Sequence, residues 1–128
     1  MRTVKDIMNP VVCTIPRGML VCEVEGILVA KRISGAPLVD SAGQVVGIIS
    51  KSDIVRFDFT GGNPAEAAAW EIASPSVITV PPSCSLKAAA QLMLDKHIHR
   101  LLVAHEGEMV GLISALDFVQ LVAQGADY

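Results

Sequence analysis

One hydrophobic pattern occurs twice in this chain. Residues 45–55 read VVGIISKSDIV, and residues 109–119 read MVGLISALDFV. Each copy is a short apolar run, then Ser-x-x-Asp, then a second apolar run, which is typical of a buried strand that ends at a serine starting a helix. The repetition predicts one structural unit built twice along the chain.

The apolar pattern around the first copy predicts the rest of a unit. Its longest part is a helix over Met19 to Ile33, where apolar residues recur at helical spacing and the charges match the helix dipole. Apolar runs bounded by turn residues predict short strands. The other predicted elements are a helical turn in VKDIMNP, strands over Val11 to Ile15, Ala36 to Asp40 and Gln44 to Ile49, and a helix from Ser50 to about Phe57.

The second unit repeats this order, since Pro75 and Thr79 stand 65 residues after Pro10 and Thr14. Its predicted elements include a helix over Leu86 to Lys96 and strands over Leu101 to Ala104 and Met109 to Ile113. Between the copies, TGGNPAEAAAW predicts a linker with its own helix, which starts with Asn63 as N-cap and runs to about Ile72.

These elements predict an α+β fold of two tandem repeats, each β-α-β-β-α. The first repeat is predicted over residues 1–60, the linker over 61–71 and the second repeat over 72–128. Each repeat is too small to bury its own apolar face, so we expect the two to pack together about a pseudo-two-fold axis.

Composition predicts self-association. Hydrophobic residues make up 52% of only 128 residues, and so small a chain has too little interior to hide them all. Excess apolar surface usually contacts a partner, most often a second copy. We therefore predict a homodimer, whose face includes the outer helix positions Phe57, Phe118, Leu121 and Val122.

Other function classes are disfavoured by the same sequence. A net charge of −3 without a basic cluster argues against nucleic-acid binding. The apolar runs are too short to span a bilayer and the N-terminus has no apolar signal segment, so we expect no membrane association. Three cysteines far from any CxxC spacing are typical of reduced thiols in a cytoplasmic protein. Without GxSxG, HExxH or a P-loop, we do not expect an enzyme.

The Ser-x-x-Asp motif has two interpretations. It is a variant of the capping box, in which serine and aspartate satisfy first-turn groups of a helix. It also offers a ligand the free N–H groups and partial positive charge of a helix N-terminus. A carboxylate repels phosphate but accepts two hydrogen bonds from a vicinal diol. Asp53 and Asp117 therefore suit a ribose, and Ser50 and Ser114 the ribose or first phosphate.

Phosphate groups would need cations nearby, and Lys51 and Arg100 are the best placed. Arg100 stands just before a predicted strand, where the first repeat has Gly35 instead. We therefore predict two sites of unequal phosphate affinity, because only the second repeat has a cation at that position.

Both halves resemble CBS domains, and together they resemble a CBS (Bateman) module over nearly the whole chain. The resemblance rests on DIMNPVVCTIP, ISGAPLVD and VVGIISKSDIV in the first half, and on ASPSVITVP, IHRLLV and MVGLISALDFV in the second. It implies a regulatory module that binds an adenosine-containing ligand in the cleft between the repeats. The candidate ligands are AMP, ADP, ATP and S-adenosylmethionine, with no obligatory cofactor. It also implies a flat homodimer that regulates an attached or partner protein.

The resemblance assigns site residues by position. The residues that would flank the adenosine are Thr14, Ile15, Thr79 and Val80. Those that would present backbone to the base are Ala36, Pro37, Leu101 and Leu102. Ser50 with Asp53, and Ser114 with Asp117, would hold ribose and phosphate. The sequence departs from the family in lacking a cation at Gly35 and in having serine where threonine is often found.

Two alternatives stay open. One is a ligand-free dimerisation module in which Ser-x-x-Asp only caps helices. The other is a metal sensor that uses His97, His99 and His105. An H-x-H pair alone does not make a metal site, which needs a third or fourth ligand. A helix C-terminus favours a positive charge, which explains His97 without a metal.

Overall fold

The computed structural model describes residues 2–125, which divide into two compact units. Within this range, we call residues 2–11 and 78–125 the terminal unit, and residues 12–77 the central unit. Within the described range, none of the helices has the length and apolar character needed to cross a membrane. In chain order the elements are α1 (Val4–Ile7), β1 (Asn9–Pro10), β2 (Ile15–Pro16), α2 (Val21–Lys31), β3 (Gly35–Val39), β4 (Val45–Ser50), α3 (Lys51–Phe59), α4 (Ala69–Ile72), β5 (Thr79–Val80), α5 (Leu86–Lys96), β6 (Arg100–His105), β7 (Glu108–Ser114) and α6 (Ala115–Ala123).

The central unit builds one apolar core on a three-stranded sheet. β2 runs parallel to β3, and β4 pairs antiparallel with β3, with Gly35 opposite Ser50. The apolar residues of α2 recur at helical spacing, so one stripe of this helix is buried. The buried core residues are Ile15, Val21, Val24, Leu28, Ala36, Leu38, Ile49, Ile54 and Ala69.

The terminal unit has a four-stranded sheet in the order β1-β7-β6-β5. β1 pairs antiparallel with β7, so that Asn9 lies opposite Leu112. α1 is tied to the same unit by the Val4 N–H, which donates to the Cys84 carbonyl at 2.9 Å. The buried core residues are Val4, Val80, Leu86, Ala89, Met93, Leu101, Val103, Ile113 and Leu121.

Each unit completes its sheet with a segment from the beginning of the other sequence repeat. In the central unit this segment contains Ser74, which exchanges both backbone hydrogen bonds with Ile48, at 2.9 and 3.0 Å. Ser74 stands 65 residues after Asn9, so the Ser74–Ile48 pair is the counterpart of the Asn9–Leu112 pair. The two compact units therefore contain different residues from the two predicted sequence repeats.

The glycine shared by both copies of the repeated pattern permits this pairing. A Cβ on Gly47 would lie 2.9 Å from the Ser74 carbonyl oxygen. On Gly111 it would meet the Met8 side chain and lie 3.1 Å from the Asn9 carbonyl oxygen. Glycine at both positions therefore lets the edge segment approach β4 or β7 closely.

The strand predicted over Val11 to Ile15 is wrong except at Ile15. Residues 11–14 have no regular structure, and β2 begins only at Ile15. Proline has no N–H, so Pro37 cannot make the bond that its counterpart Leu102 makes to the Ile78 carbonyl at 2.9 Å. Without that bond, parallel pairing in the central unit starts one residue later than in the terminal unit.

The linker helix predicted from Asn63 onward is wrong over most of its length. Residues 64–66 form a turn, in which the Asn63 side chain accepts from the Ala65 N–H at 3.0 Å, and helical structure is confined to α4. The Ala69 N–H donates to the Met19 carbonyl at 2.7 Å. Pairing with the chain before α2 thus takes backbone groups that the alanine run would have used in a helix.

The other predicted elements agree with the structure. α5 covers the predicted Leu86 to Lys96, and the four hairpin strands lie within one residue of their predicted bounds. The predicted dimer face is wrong at Leu121, which is 5% exposed and belongs to the core. Phe57 and Phe118 are half-buried against the cores, whereas Val122 is exposed.

Candidate functional site

Each unit places a Ser-x-x-Asp motif where its last hairpin strand turns into a helix. In the central unit, extended backbone at Ser50 (φ −137°, ψ 166°) ends β4 and starts α3. The Asp53 N–H donates to Ser50 Oγ at 3.3 Å, while the Ser50 N–H and hydroxyl donate to Asp53 Oδ2 at 2.8 and 2.9 Å. This geometry is the reciprocal capping box that the sequence predicts as one interpretation.

The terminal unit repeats this arrangement at Ser114 and Asp117. The Ser114 N–H donates to Asp117 Oδ2 at 2.7 Å, and its hydroxyl donates to the same oxygen at 3.1 Å. The two motifs differ in burial, since Ser50 is fully buried and Asp53 is 8% exposed, whereas Ser114 and Asp117 are half-buried. In each motif the Oδ2 atom of the aspartate is used to cap its own helix.

The Oδ1 atom has a different partner in each unit. Arg56 Nη1 donates to Asp53 Oδ1 at 3.4 Å, from a side chain that is 69% exposed. Asn9 Nδ2 lies 3.2 Å from both carboxylate oxygens of Asp117 and donates to them. Because this contact is 3.4 Å long and the guanidinium is mostly exposed, a ligand hydroxyl can replace it at small cost.

Sequence reasoning identified neither Arg56 nor Asn9. Arg56 stands three residues after Asp53 on α3, a spacing at which opposite charges meet, so a signal for this pair was present. Asn9 is 108 residues from Asp117 in the sequence. The pairing of β1 with β7 brings these two side chains together, and no local pattern encodes it.

The residues predicted to contact the base are all on β3 and β6. They are Ala36, Pro37, Leu101 and Leu102, all of them buried. A ligand beside these positions can therefore reach little more than their backbone. Neither Pro37, which lacks an N–H, nor Leu102, whose N–H is used within its sheet, adds a free donor there.

The residues predicted to flank the adenosine lie on or next to β2 and β5, one strand further from the serines. Ile15 and Val80 are buried in their cores. Thr14 and Thr79 are exposed, so their hydroxyl groups are accessible. Thr14 in the central unit and Thr79 in the terminal unit thus each expose a hydroxyl group to solvent. They lie on the side of β3 and β6, respectively, that is away from the serine-bearing strand.

The position before the second strand differs between the units, as the sequence indicates. Arg100 begins β6 directly opposite Ser114 on β7, and it is half-buried. Its counterpart Gly35 lies opposite Ser50, where a Cβ would stand 2.8 Å from the Ile49 carbonyl oxygen. Close pairing of β3 with β4 therefore leaves no room for a cationic side chain at Gly35.

The first backbone N–H of α3 and that of α6 are already hydrogen-bonded within the fold. The Lys51 N–H donates to the Ser34 carbonyl at 2.9 Å, and the Ala115 N–H donates to the His99 carbonyl at the same distance. The Lys51 side chain itself is exposed. These helix N-termini therefore offer fewer free donors than their sequences suggest, and a ligand would depend more on hydroxyl, carboxylate and cationic side chains.

A family model for the CBS domain matches this chain twice, over residues 4–59 and 69–124. Among curated relatives, uncharacterized protein MJ1225 of Methanocaldococcus jannaschii is 30% identical over 125 residues, which are 98% of this chain and 44% of that protein. Inosine-5′-monophosphate dehydrogenase of Mycobacterium tuberculosis is 33% identical over 115 residues, which are 89% of this chain. This chain spans less than half of MJ1225 and 21% of the dehydrogenase.

Solved structures share the fold over nearly the whole chain. The CBS domain pair of protein MJ0100, in complex with 5′-methylthioadenosine and S-adenosyl-L-methionine, is 26% identical, with 98% of each chain covered and a TM-score of 0.77. CBSX2 in complex with AMP is 25% identical, with 97% of this chain and 98% of that chain covered and a TM-score of 0.68. These matches confirm the predicted tandem repeats and α+β fold.

Proposed function

Because this chain belongs to the CBS domain family, we propose that it is a regulatory module that binds an adenosine-containing small molecule. One observation carries the proposal: each unit holds an aspartate beside a serine where a strand turns into a helix. The complexes of MJ0100 and CBSX2 support the ligand class, since both relatives were solved with adenosine-containing molecules.

In this proposal the aspartates recognise the ribose. A carboxylate accepts two hydrogen bonds, one from each hydroxyl of a vicinal diol. The ribose must first displace the side-chain partner that now donates to Oδ1 of the aspartate. The partner is Arg56 in the central unit and Asn9 in the terminal unit. Ser50 and Ser114 supply hydroxyl groups beside the same sugar.

A cation near the serine then decides whether a site favours ligands that carry phosphate. Arg100 stands opposite Ser114, whereas Gly35 leaves the corresponding place empty of side chain. We therefore assign AMP, ADP or ATP to the terminal unit's residues. The central unit has Lys51 instead and is better suited to a ligand with less negative charge, such as S-adenosylmethionine.

We also propose that the chain acts in the cytoplasm on a partner protein and has no catalytic activity of its own. Burial raises the pKa of the Cys84 thiol, which disfavours its nucleophilic thiolate form. A ligand can regulate a partner only if it binds one arrangement of the module more tightly than another.

A thermal-shift panel tests the ligand class. We expect at least one of AMP, ADP, ATP, NADH and S-adenosylmethionine to raise the melting temperature, because a ligand at about 100 times its dissociation constant adds about 2.7 kcal/mol of stability. The matched control is 2′,3′-dideoxyadenosine 5′-monophosphate, which keeps base and phosphate but lacks both hydroxyls. If AMP raises the melting temperature, an equal rise with the dideoxy analogue would contradict recognition of the ribose.

A specific observation also favours the alternative of a dimerisation module. Large apolar side chains are exposed at equivalent helix positions in both units, Val29 and Leu94, and Val55 and Val119, between 59% and 69% exposed. Such positions are typical of a protein interface. Light scattering after size exclusion should therefore give the mass of a homodimer at micromolar concentration. A dimer without any shift in the ligand panel would favour this alternative.

A further inference from the structure

Two histidines line one open cavity of the terminal unit. The cavity has a volume of about 480 Å³ and lies between α5 and α6. His97 and His99 line it together with the apolar side chains of Met93, Leu94 and Phe118. None of the proposed adenosine-binding residues lines this cavity, so its role is separate from the proposed nucleotide function.

The backbone holds both imidazoles at the same cavity. His97 ends α5 in the left-handed conformation (φ 54°), and Ile98, whose N–H donates to the Met93 carbonyl at 3.1 Å, packs against the core. The His99 carbonyl accepts from the Ala115 N–H at 2.9 Å. With Ile98 directed inward, the histidines on either side of it are both exposed.

We propose that His97 and His99 are half of a divalent-metal site, suited to Zn²⁺, which the same two residues of a second copy complete. Zinc in a structural site takes four nitrogen or sulfur ligands in tetrahedral geometry. Among the described residues of one chain, no group of three or more potential ligands can hold a metal ion. One chain therefore supplies two ligands, and a two-fold axis through the ion supplies the other two.

The surroundings of the cavity fit a second copy of this chain. Leu94 lines the cavity and is 69% exposed. Val119 and Val122 follow the cavity-lining Ala115 by one and two turns of α6, on the same side of the helix, and are 59% and 58% exposed. A two-fold contact would bury these side chains around the metal and remove them from water.

The site belongs to the second repeat alone. The equivalent positions of the first repeat are Arg32 and Ser34. Arg32 ends α2 in the same left-handed conformation as His97 (φ 56°), so the backbone is shared but the ligands are not. Zinc would therefore join two copies through their terminal units.

Zinc and cobalt titrations test the inference without any nucleotide. We expect one ion per two chains, and intense visible absorption of bound Co²⁺, as tetrahedral coordination produces. If the ion binds only the dimer, zinc at about 100 times its dissociation constant lowers the dimer dissociation constant by about 100-fold, measured by sedimentation. EDTA should reverse both effects.

Three variants separate the ligands from the contact. His97→Asn tolerates the left-handed backbone, and it and His99→Gln should each abolish the cobalt spectrum and the zinc-induced association. Val119→Glu keeps both histidines but should lose both signals, because the second copy can no longer dock. The matched control His105→Ala, at an exposed histidine of the same unit, should keep both.

Several results would overturn the inference. They are an absence of zinc binding, one ion per chain without a change in association, or zinc binding that survives both His97→Asn and His99→Gln. Because no adenosine ligand is present in these titrations, neither their success nor their failure bears on the proposed nucleotide function.

Discussion

Asp117→Asn is expected to weaken binding of the adenine nucleotide by about 100-fold, since a charge-assisted hydrogen bond contributes about 1.5–3 kcal/mol and about 1.4 kcal/mol is a factor of ten. Asparagine keeps one oxygen for the Ser114 N–H, so the cap of α6 is retained. Its amide nitrogen replaces the second oxygen and cannot accept from a ribose hydroxyl. Titration calorimetry with AMP measures the change.

The control for this variant is Asp95→Asn in the same unit. Asp95 is exposed on α5, and its carboxylate accepts from Gln91 Nε2 at 2.8 Å. Its replacement removes the same charge without touching the Ser-x-x-Asp motif, so affinity should stay near that of the original chain. If Asp117→Asn also binds AMP with unchanged affinity, the aspartate serves as a helix cap and the proposed function loses its main support.

Gly47→Ala should destabilise the central unit by about 2 kcal/mol, because a close-packed site must shift to admit the added methyl group. A Cβ at this position would lie 2.9 Å from the Ser74 carbonyl oxygen. Ser74 is held in place because both its N–H and its carbonyl are hydrogen-bonded to Ile48. Relief requires the edge segment to move away from β4. Urea unfolding monitored by circular dichroism gives the free energy of unfolding.

Gly26→Ala is the matched control within the same unit. Gly26 lies inside α2, is exposed, and an added Cβ would meet nothing within 4 Å outside the backbone of its own helix. Alanine is about 1 kcal/mol better than glycine in a helix interior, so this variant should be more stable than the original chain. Equal stabilities of the two alanine variants would contradict the tight approach of Ser74 to β4.

The predicted site was partly accessible from local sequence. Ser50 and Asp53 are three residues apart, and Ser114 and Asp117 likewise, so one turn of helix brings each pair together wherever the helix lies. The lack of a cation at Gly35 was also visible, although its cause, the close approach of the Ile49 carbonyl, was not. Their roles toward a ligand stay predictions.

Other parts of the site depend on distant segments. Asn9 reaches Asp117 because β1 adds to the edge of β7, and His97 and His99 share a cavity because α6 packs beside α5. Most of the predicted linker helix does not form for a similar reason, since the Ala69 N–H is hydrogen-bonded to the Met19 carbonyl. In each case the partner is remote in sequence.

By itself, the sequence determined that one α+β unit is built twice, with a capped helix after each hairpin. Periodic burial and helix capping are local, because they need only residues a few positions apart. Tertiary structure decided which segment completes each sheet, with Asn9 beside β7 and Ser74 beside β4. Edge strands present unpaired N–H and carbonyl groups that many segments could satisfy, so packing of the whole chain, and not local pattern, selects the one that binds.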